Sequence, residues 1–190
     1  MRVARTLFLL WALAVPGRAQ EIGPSAGAPQ LRSGDKAHAS AFWLDVPFFP
    51  QRKNGCGASS LAMIVQYWHS DGRVDPESIF SALYSEKLKG IPASRMKSYL
   101  EKNGFLAFSF AGSISDLEGH LLKGRPLIVS LGAGSSLHYV VVVGLDRRQK
   151  LILLNDPAVK KLSALGEPEF LAAWRQTNYW TLLAVPNARP

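Results

Sequence analysis

Residues 46–68 read VPFFPQRKNGCGASSLAMIVQYW. Leu61, Ile64, Val65 and Trp68 recur at i, i+3, i+4 and i+7, one apolar face at helical period. Pro50 closes an apolar, extended stretch over 42–49, and Gly55-Cys56-Gly57 stands just ahead of the periodic run. Cys56 therefore sits at the start of a helix. A helix N-terminus carries unpaired N–H groups and partial positive charge, which stabilise a thiolate, the nucleophilic form of cysteine. Glycines on both sides leave the sulfur open and let a substrate backbone approach. A buried, inert cysteine is the competing reading, and it leaves the two glycines unexplained.

Downstream, Asp75-Pro76-Glu77 marks a second helix start, with an N-cap Asp and a first-turn Pro. Ile79, Phe80, Leu83 and Tyr84 form its buried face. A third helix is expected over 93–102, ending at Asn103-Gly104. Then the texture changes. Strands are expected at 105–110, 126–131, 138–145, 151–154 and 179–185, with short helices at 115–123 and 168–175. Residues 132–136 read as a Gly-rich loop and 146–149 as a hairpin turn. Helices first and strands after argue for an α+β domain with an antiparallel sheet over 42–187. Trp174 and Trp180 read as packing residues.

The N-terminus carries Arg2 and Arg5, an apolar run from 7 to 15, then Pro16, Gly17 and Ala19. This order of charge, apolar stretch and small-residue exit is that of a secretory signal over 1–19. The run is roughly half of the ~20 apolar residues that a spanning helix needs, so an anchor is the weaker reading. Secretion, to the periplasm or beyond, is the expected localisation. Residues 20–41, rich in Gly, Ala, Ser and Pro, read as a flexible leader. Cleavage would remove Arg2, Arg5 and Arg18 and no acidic residue, taking the net charge from +8 to +5. That excess favours anionic cell-envelope surfaces in general. Without basic clusters interleaved with aromatics, nucleic-acid binding is not expected. Paired-Cys, HExxH, GxxxxGK and GxSxG patterns are lacking, so neither a metal nor another cofactor is called for. The single Cys cannot form an internal disulfide and is a candidate reactive thiol.

A thiolate nucleophile needs a base, and the base an orienter. His38 lies in the leader, and His120 sits among Leu117, Leu121 and Leu122 as a structural residue. His69 lies thirteen residues along the helix from Cys56, roughly 20 Å at 1.5 Å per residue. His138 opens a strand beside the Gly-rich loop, where a side chain can face a groove. Asp156 ends the strand that pairs back across the 146–149 hairpin, which brings it to the start of the His138 strand. The plain alternative is that Asn155-Asp156-Pro157 is only a turn. Gln51, five residues before Cys56, offers an amide N–H that, with the Cys56 main-chain N–H, would hold an oxyanion.

The run over 46–68, followed by HYVVVVG at 138–144 and NDP at 155–157, resembles family 39 of the cysteine peptidases, the papain-like bacteriocin-processing type and its exported relatives. The likeness extends over about 44–185. It implies a papain-like fold, with N-terminal helices packed on a C-terminal antiparallel sheet. It further implies Cys56 as nucleophile, His138 as general base, Asp156 as orienter and Gln51 in the oxyanion hole. Two departures stand out: Ala58 follows Gly57 where many exported relatives have Pro, and the Gln-to-Cys interval is one residue shorter than in papain. The best-known members cut leader peptides after a double glycine; that substrate is not carried over. The expected reaction is hydrolysis of a peptide or protein substrate. Two other readings stay open: a peptide-binding or assembly module without turnover, and a cell-wall peptide amidase using the same triad.

Overall fold

The computed structural model of the protein describes residues 39–69, 72, 74–134 and 136–187. The signal segment over 1–19 and the leader up to residue 38 lie outside the described residues. Three helices come first, after a short strand β1 (Ala41–Trp43): α1 (Cys56–Trp68), α2 (Pro76–Leu83) and α3 (Ala93–Lys102). The α1 helix is buried without a break from Gly57 to Ile64, so it is a core helix rather than a surface one. Asp75 caps α2 through both carboxylate oxygens, accepting from the main-chain N–H groups of Glu77 and Ser78. Met96 and Leu100, one turn apart, are the buried stripe of α3.

The second half holds β2 (Phe105–Ala111), α4 (Ile114–Leu122), β3 (Leu127–Ala133), β4 (Ser136–Asp146), β5 (Leu151–Asp156), β6 (Lys160–Gly166), α5 (Glu167–Arg175) and β7 (Trp180–Pro186). All the strand pairs are antiparallel, in the order β2-β7-β3-β4-β5-β6, with β1 also paired to β4. Val140, Val141, Val142 and Val143 point alternately to the two faces and all are buried, so the centre of the sheet is covered on both sides. Trp174 is fully buried and Trp180 packs edge-on against Tyr139, which bears out the packing role of both. The α+β architecture and its antiparallel sheet are as the sequence leads one to expect.

Four local expectations need correction. The Gly-rich segment 132–136 is hardly a loop: β3 runs through Ala133, β4 starts at Ser136, and these two residues pair. The hairpin closes through Gly134, whose φ of +63° suits a residue without Cβ. His138 consequently lies two residues inside β4 instead of opening it. Strand β6 is not foreshadowed by its sequence, KKLSALG, which lacks alternation because it is an exposed edge strand. Finally, the end of the supposed leader is ordered, since Ala41 pairs with Asp146.

Candidate active site

Three local devices place Cys56. The turn before it closes with Gly55 N–H donating to the Arg52 carbonyl (2.9 Å), and Asn54 takes the left-handed conformation, φ 60°. A Cβ on Gly55 would stand 2.9 Å from Arg52 Cγ and 3.0 Å from its carbonyl oxygen, so that turn leaves no room for a side chain. The α1 N-terminus has no side-chain cap and no acidic residue in its first turn. Its positive end is therefore left to the thiol. The Gly57 main-chain N–H bonds the sulfur directly.

The helix end docks on β4. Strand β5 pairs with β4 no further toward the β4 start than Val141, opposite Asn155. Beyond that point α1 takes over the strand edge. The Tyr139 N–H bonds the Cys56 sulfur and the Tyr139 carbonyl accepts from Ser60 Oγ at 3.3 Å. Ser60 is one turn from Cys56 and fully buried, so it pins the helix against the strand that carries His138. Neither Ser60 nor the Tyr139 main chain is singled out by the sequence reading. The signal for Ser60 is a polar residue at i+4 on an otherwise apolar face.

His138 and Asp156 share one face of the β4–β5 pair, as Val140 and Asp156 would stand opposite each other and His138 is two residues on. They meet diagonally, with His138 Nε2 and Asp156 Oδ1 2.7 Å apart. Nδ1 is then the ring nitrogen left for the Cys56 sulfur, to which His138 is also hydrogen-bonded. Asp156 also accepts from the Ala158 N–H (2.9 Å), which fixes the carboxylate from the turn behind it. The structure thus brings Cys56, His138 and Asp156 into one hydrogen-bonded line.

The protonation states follow from these contacts. Burial pushes the Cys56 thiol up, but the hydrogen bonds from His138, Tyr139 and Gly57 and the His138 charge outweigh it, and the net shift is down. Burial likewise opposes the His138 charge. The bonds to Asp156 and Cys56 overcome it and raise the imidazole to about 9. Asp156 is held below its ordinary value, with burial outweighed by its bond to His138. The favoured state is a thiolate–imidazolium pair, which titrates as a unit. Tyr139 is pushed up to about 12 by burial and by the neighbouring Cys56 charge, so its hydroxyl stays neutral.

This pairing makes a stability prediction. A raised His contributes stability that is complete below 6.5 and is lost as pH climbs through about 9. A lowered Cys contributes stability that is complete above 9.0 and is lost as pH falls through its folded value. Between 6.5 and about 9 the two trends offset each other. In Cys56→Ala the rising cysteine contribution is gone, and the part of the histidine contribution that Asp156 sustains still falls with pH. Its urea midpoint is expected to fall behind that of the wild type steadily across this window; midpoints that run parallel would refute the pairing.

Gln51 reaches the site through its main chain: its N–H donates to the Pro157 carbonyl at 2.9 Å, directly after Asp156. Its side chain makes no hydrogen bond to Cys56 or His138 among the described residues, and its Oε1 is buried without a partner. The other histidines stand apart. His69 packs edge-on against Phe105, and His120 tilts against Phe110; His38 lies outside the described residues. Among the described residues, no group of three or more His, Cys, Asp or Glu is placed to hold a metal ion, and no helix is long and apolar enough to cross a membrane.

The fold has solved counterparts. The peptidase domain of Streptococcus ComA, a bi-functional ABC transporter involved in a quorum sensing pathway, superposes with a TM-score of 0.59 at 21% identity, covering 73% of this chain and 97% of that one. A double glycine motif protease from an AMS/PCAT transporter, solved in complex with its leader peptide, gives a TM-score of 0.58 at 23% identity, covering 76% of this chain and 94% of that one. At these identities the likeness establishes the fold. No curated protein matches the sequence significantly. The Peptidase_C39 like family model matches residues 43–181, a span that takes in all three residues of the hydrogen-bonded line, and the chain belongs to that family.

Proposed function

We propose that the protein is an exported cysteine peptidase that hydrolyses peptide bonds through Cys56, His138 and Asp156. The observation that carries this reading is the line from thiol to imidazole to carboxylate at an uncapped helix end. The Cys56 thiolate attacks a peptide carbonyl carbon. The His138 imidazolium gives its Nδ1 proton to the departing amine, which leaves a thioester on the sulfur. His138, now neutral, takes a proton from water as that water attacks the thioester, and the carboxylic acid product leaves with the thiolate restored. Asp156 holds the ring so that Nδ1, not Nε2, faces the sulfur. Gln51 is assigned to the oxyanion hole with the Cys56 main-chain N–H. A relative on this fold binds a leader peptide, which favours a peptide ligand here too. Export rests on the charge-apolar-small pattern of residues 1–19.

A peptide vinyl sulfone series tests the chemistry, because an activated thiolate adds irreversibly to the alkene and takes up one proton to leave a stable thioether. Intact mass spectrometry of protein recovered from the cell envelope or medium is expected to show this thioether adduct, mapped to Cys56. Failure of every peptide to add, with no cleavage of unfolded protein substrates, would sink the peptidase reading. The same spectrum reads the N-terminus: a chain beginning near Gln20 supports export, and one retaining Met1 opposes it.

A further inference from the structure

We propose that the segment bound across Cys56 is an acidic peptide, gripped by two lysine-bearing turns on either side of the thiol. The inference rests on the peptidase reading above and adds the charge of the substrate to it. The first turn is residues 86–89, Glu-Lys-Leu-Lys, closed by the Ser85–Gly90 bridge. Its neighbour Ile91 has its Cβ 3.1 Å from where a Cβ on Gly57 would stand, and Asn54 Nδ2 donates to the Tyr84 hydroxyl at 3.4 Å. This turn therefore rises beside the thiol on the helical side. The second turn joins β5 to β6 on the sheet side. Asp156 and Lys160 are register partners, so the turn springs directly from the carboxylate that holds His138.

Both tips carry an exposed aliphatic residue beside lysine: Leu88 is 62% and Val159 67% exposed. Lys87, Lys89 and Lys160 are exposed and make no ion pair among the described residues; Lys53, three residues before Cys56, is in the same position. The nearby acids offset them poorly. Glu77 pairs with Arg52, Asp45 with Lys161 and Asp156 with His138, leaving Glu86 as the counterweight. Lys89 moreover adopts φ 49°, a left-handed conformation in which Gly or Asn sits with less strain. Leucine and valine tips with no aromatic ring for base stacking favour a peptide over a nucleic acid as the anionic occupant.

The test uses three labelled peptides that share their Leu and Val positions and carry Glu, Gln or Lys at the others. Fluorescence anisotropy with the purified protein is expected to show the acidic peptide binding about tenfold more tightly than the Gln peptide, with a gap that narrows as salt rises. The acidic peptide is also expected to slow alkylation of Cys56. Lys87→Gln with Lys160→Gln, or the Glu pair if it folds, is expected to erase the preference. Equal binding of the Glu and Gln peptides, preference for Lys, no binding of any, or tighter binding of a single-stranded oligonucleotide of matched charge each overturns the proposal. So does acidic-peptide binding that leaves alkylation of a reactive Cys56 unaffected. Anisotropy does not depend on turnover: an unreactive Cys56 would refute the peptidase reading and leave the charge preference to be decided by the lysine variants.

Discussion

Replacing His138 by Ala is expected to slow the reaction of Cys56 with iodoacetamide roughly hundredfold near pH 6, a pH at which a free thiol with pKa about 8.5 is only about 0.3% ionised. In the wild type the thiol is lowered and the imidazole raised to about 9, which favours the thiolate–imidazolium pair over the neutral pair. The variant loses two of the influences that oppose burial, the His138 hydrogen bond and the His138 charge. The bonds from the Tyr139 and Gly57 main chain remain, and they hold the loss short of that of a wholly unassisted buried thiol. The rate-against-pH curve carries the sign. The wild-type rate should persist well below pH 8 and fall only as the paired thiol protonates, whereas the His138→Ala rate should climb tenfold per pH unit across the same range. A companion variant, Asp156→Asn, keeps the shape of the carboxylate but not its charge. It should give an intermediate curve, because the imidazolium loses its main support while its bond to the sulfur survives. Superimposable wild-type and His138→Ala curves would show that the helix end alone activates the sulfur, and the assignment of His138 as base would fall.

The geometry behind that expectation was partly legible in the sequence, and the division has a physical logic. Cys56 could be placed because a helix start is a local event: two glycines, a polar approach and an apolar period of 3.6 lie within twenty residues of one another. His138 and Asp156 could be brought together because a hairpin maps the start of one strand onto the end of the next. The diagonal offset between them was not foreseeable, since it depends on the irregularity at Val142–Gly144 that shifts the register of β4 against β5. Strand β6 escaped because an exposed edge strand buries little and so needs no alternation; its backbone pairing with β5 is its main support. The Tyr139 main chain and Ser60 escaped for a different reason. Their role is to join elements far apart in the chain, and a backbone N–H leaves no mark on residue choice.

Asn155 illustrates how a residue that reads as a turn former does its work in the core, and its replacement should produce a large loss of stability away from the thiol. It is fully buried at the end of β5. Its Nδ2 donates to the Val46 carbonyl at 3.0 Å and its Oδ1 accepts from the Leu162 N–H at 3.1 Å. One side chain thus ties the arm leading to Gln51 and Cys56 to the β5–β6 turn that carries Asp156. Asn155→Ala strands two backbone groups in the interior and opens a small cavity, for an expected loss of about 3 kcal/mol. For a domain of this size that corresponds to a fall in Tm of about 10 °C. Asn155→Leu separates the two causes. It refills the space but cannot bond either group, so it should be about as unstable as the Ala variant if the hydrogen bonds dominate, and recover most of the loss if packing does. The functional consequence differs from a simple loss of stability. At temperatures where Asn155→Ala is still folded, the arm is released from Asp156, so the imidazole should lose part of its orientation and the pH profile of Cys56 alkylation should move toward that of Asp156→Asn. An Asn155→Ala protein with lowered Tm but an unshifted alkylation profile would mean that the clamp serves the fold alone, and that the remaining bond between the Gln51 N–H and the Pro157 carbonyl is enough to keep the two halves of the site in register.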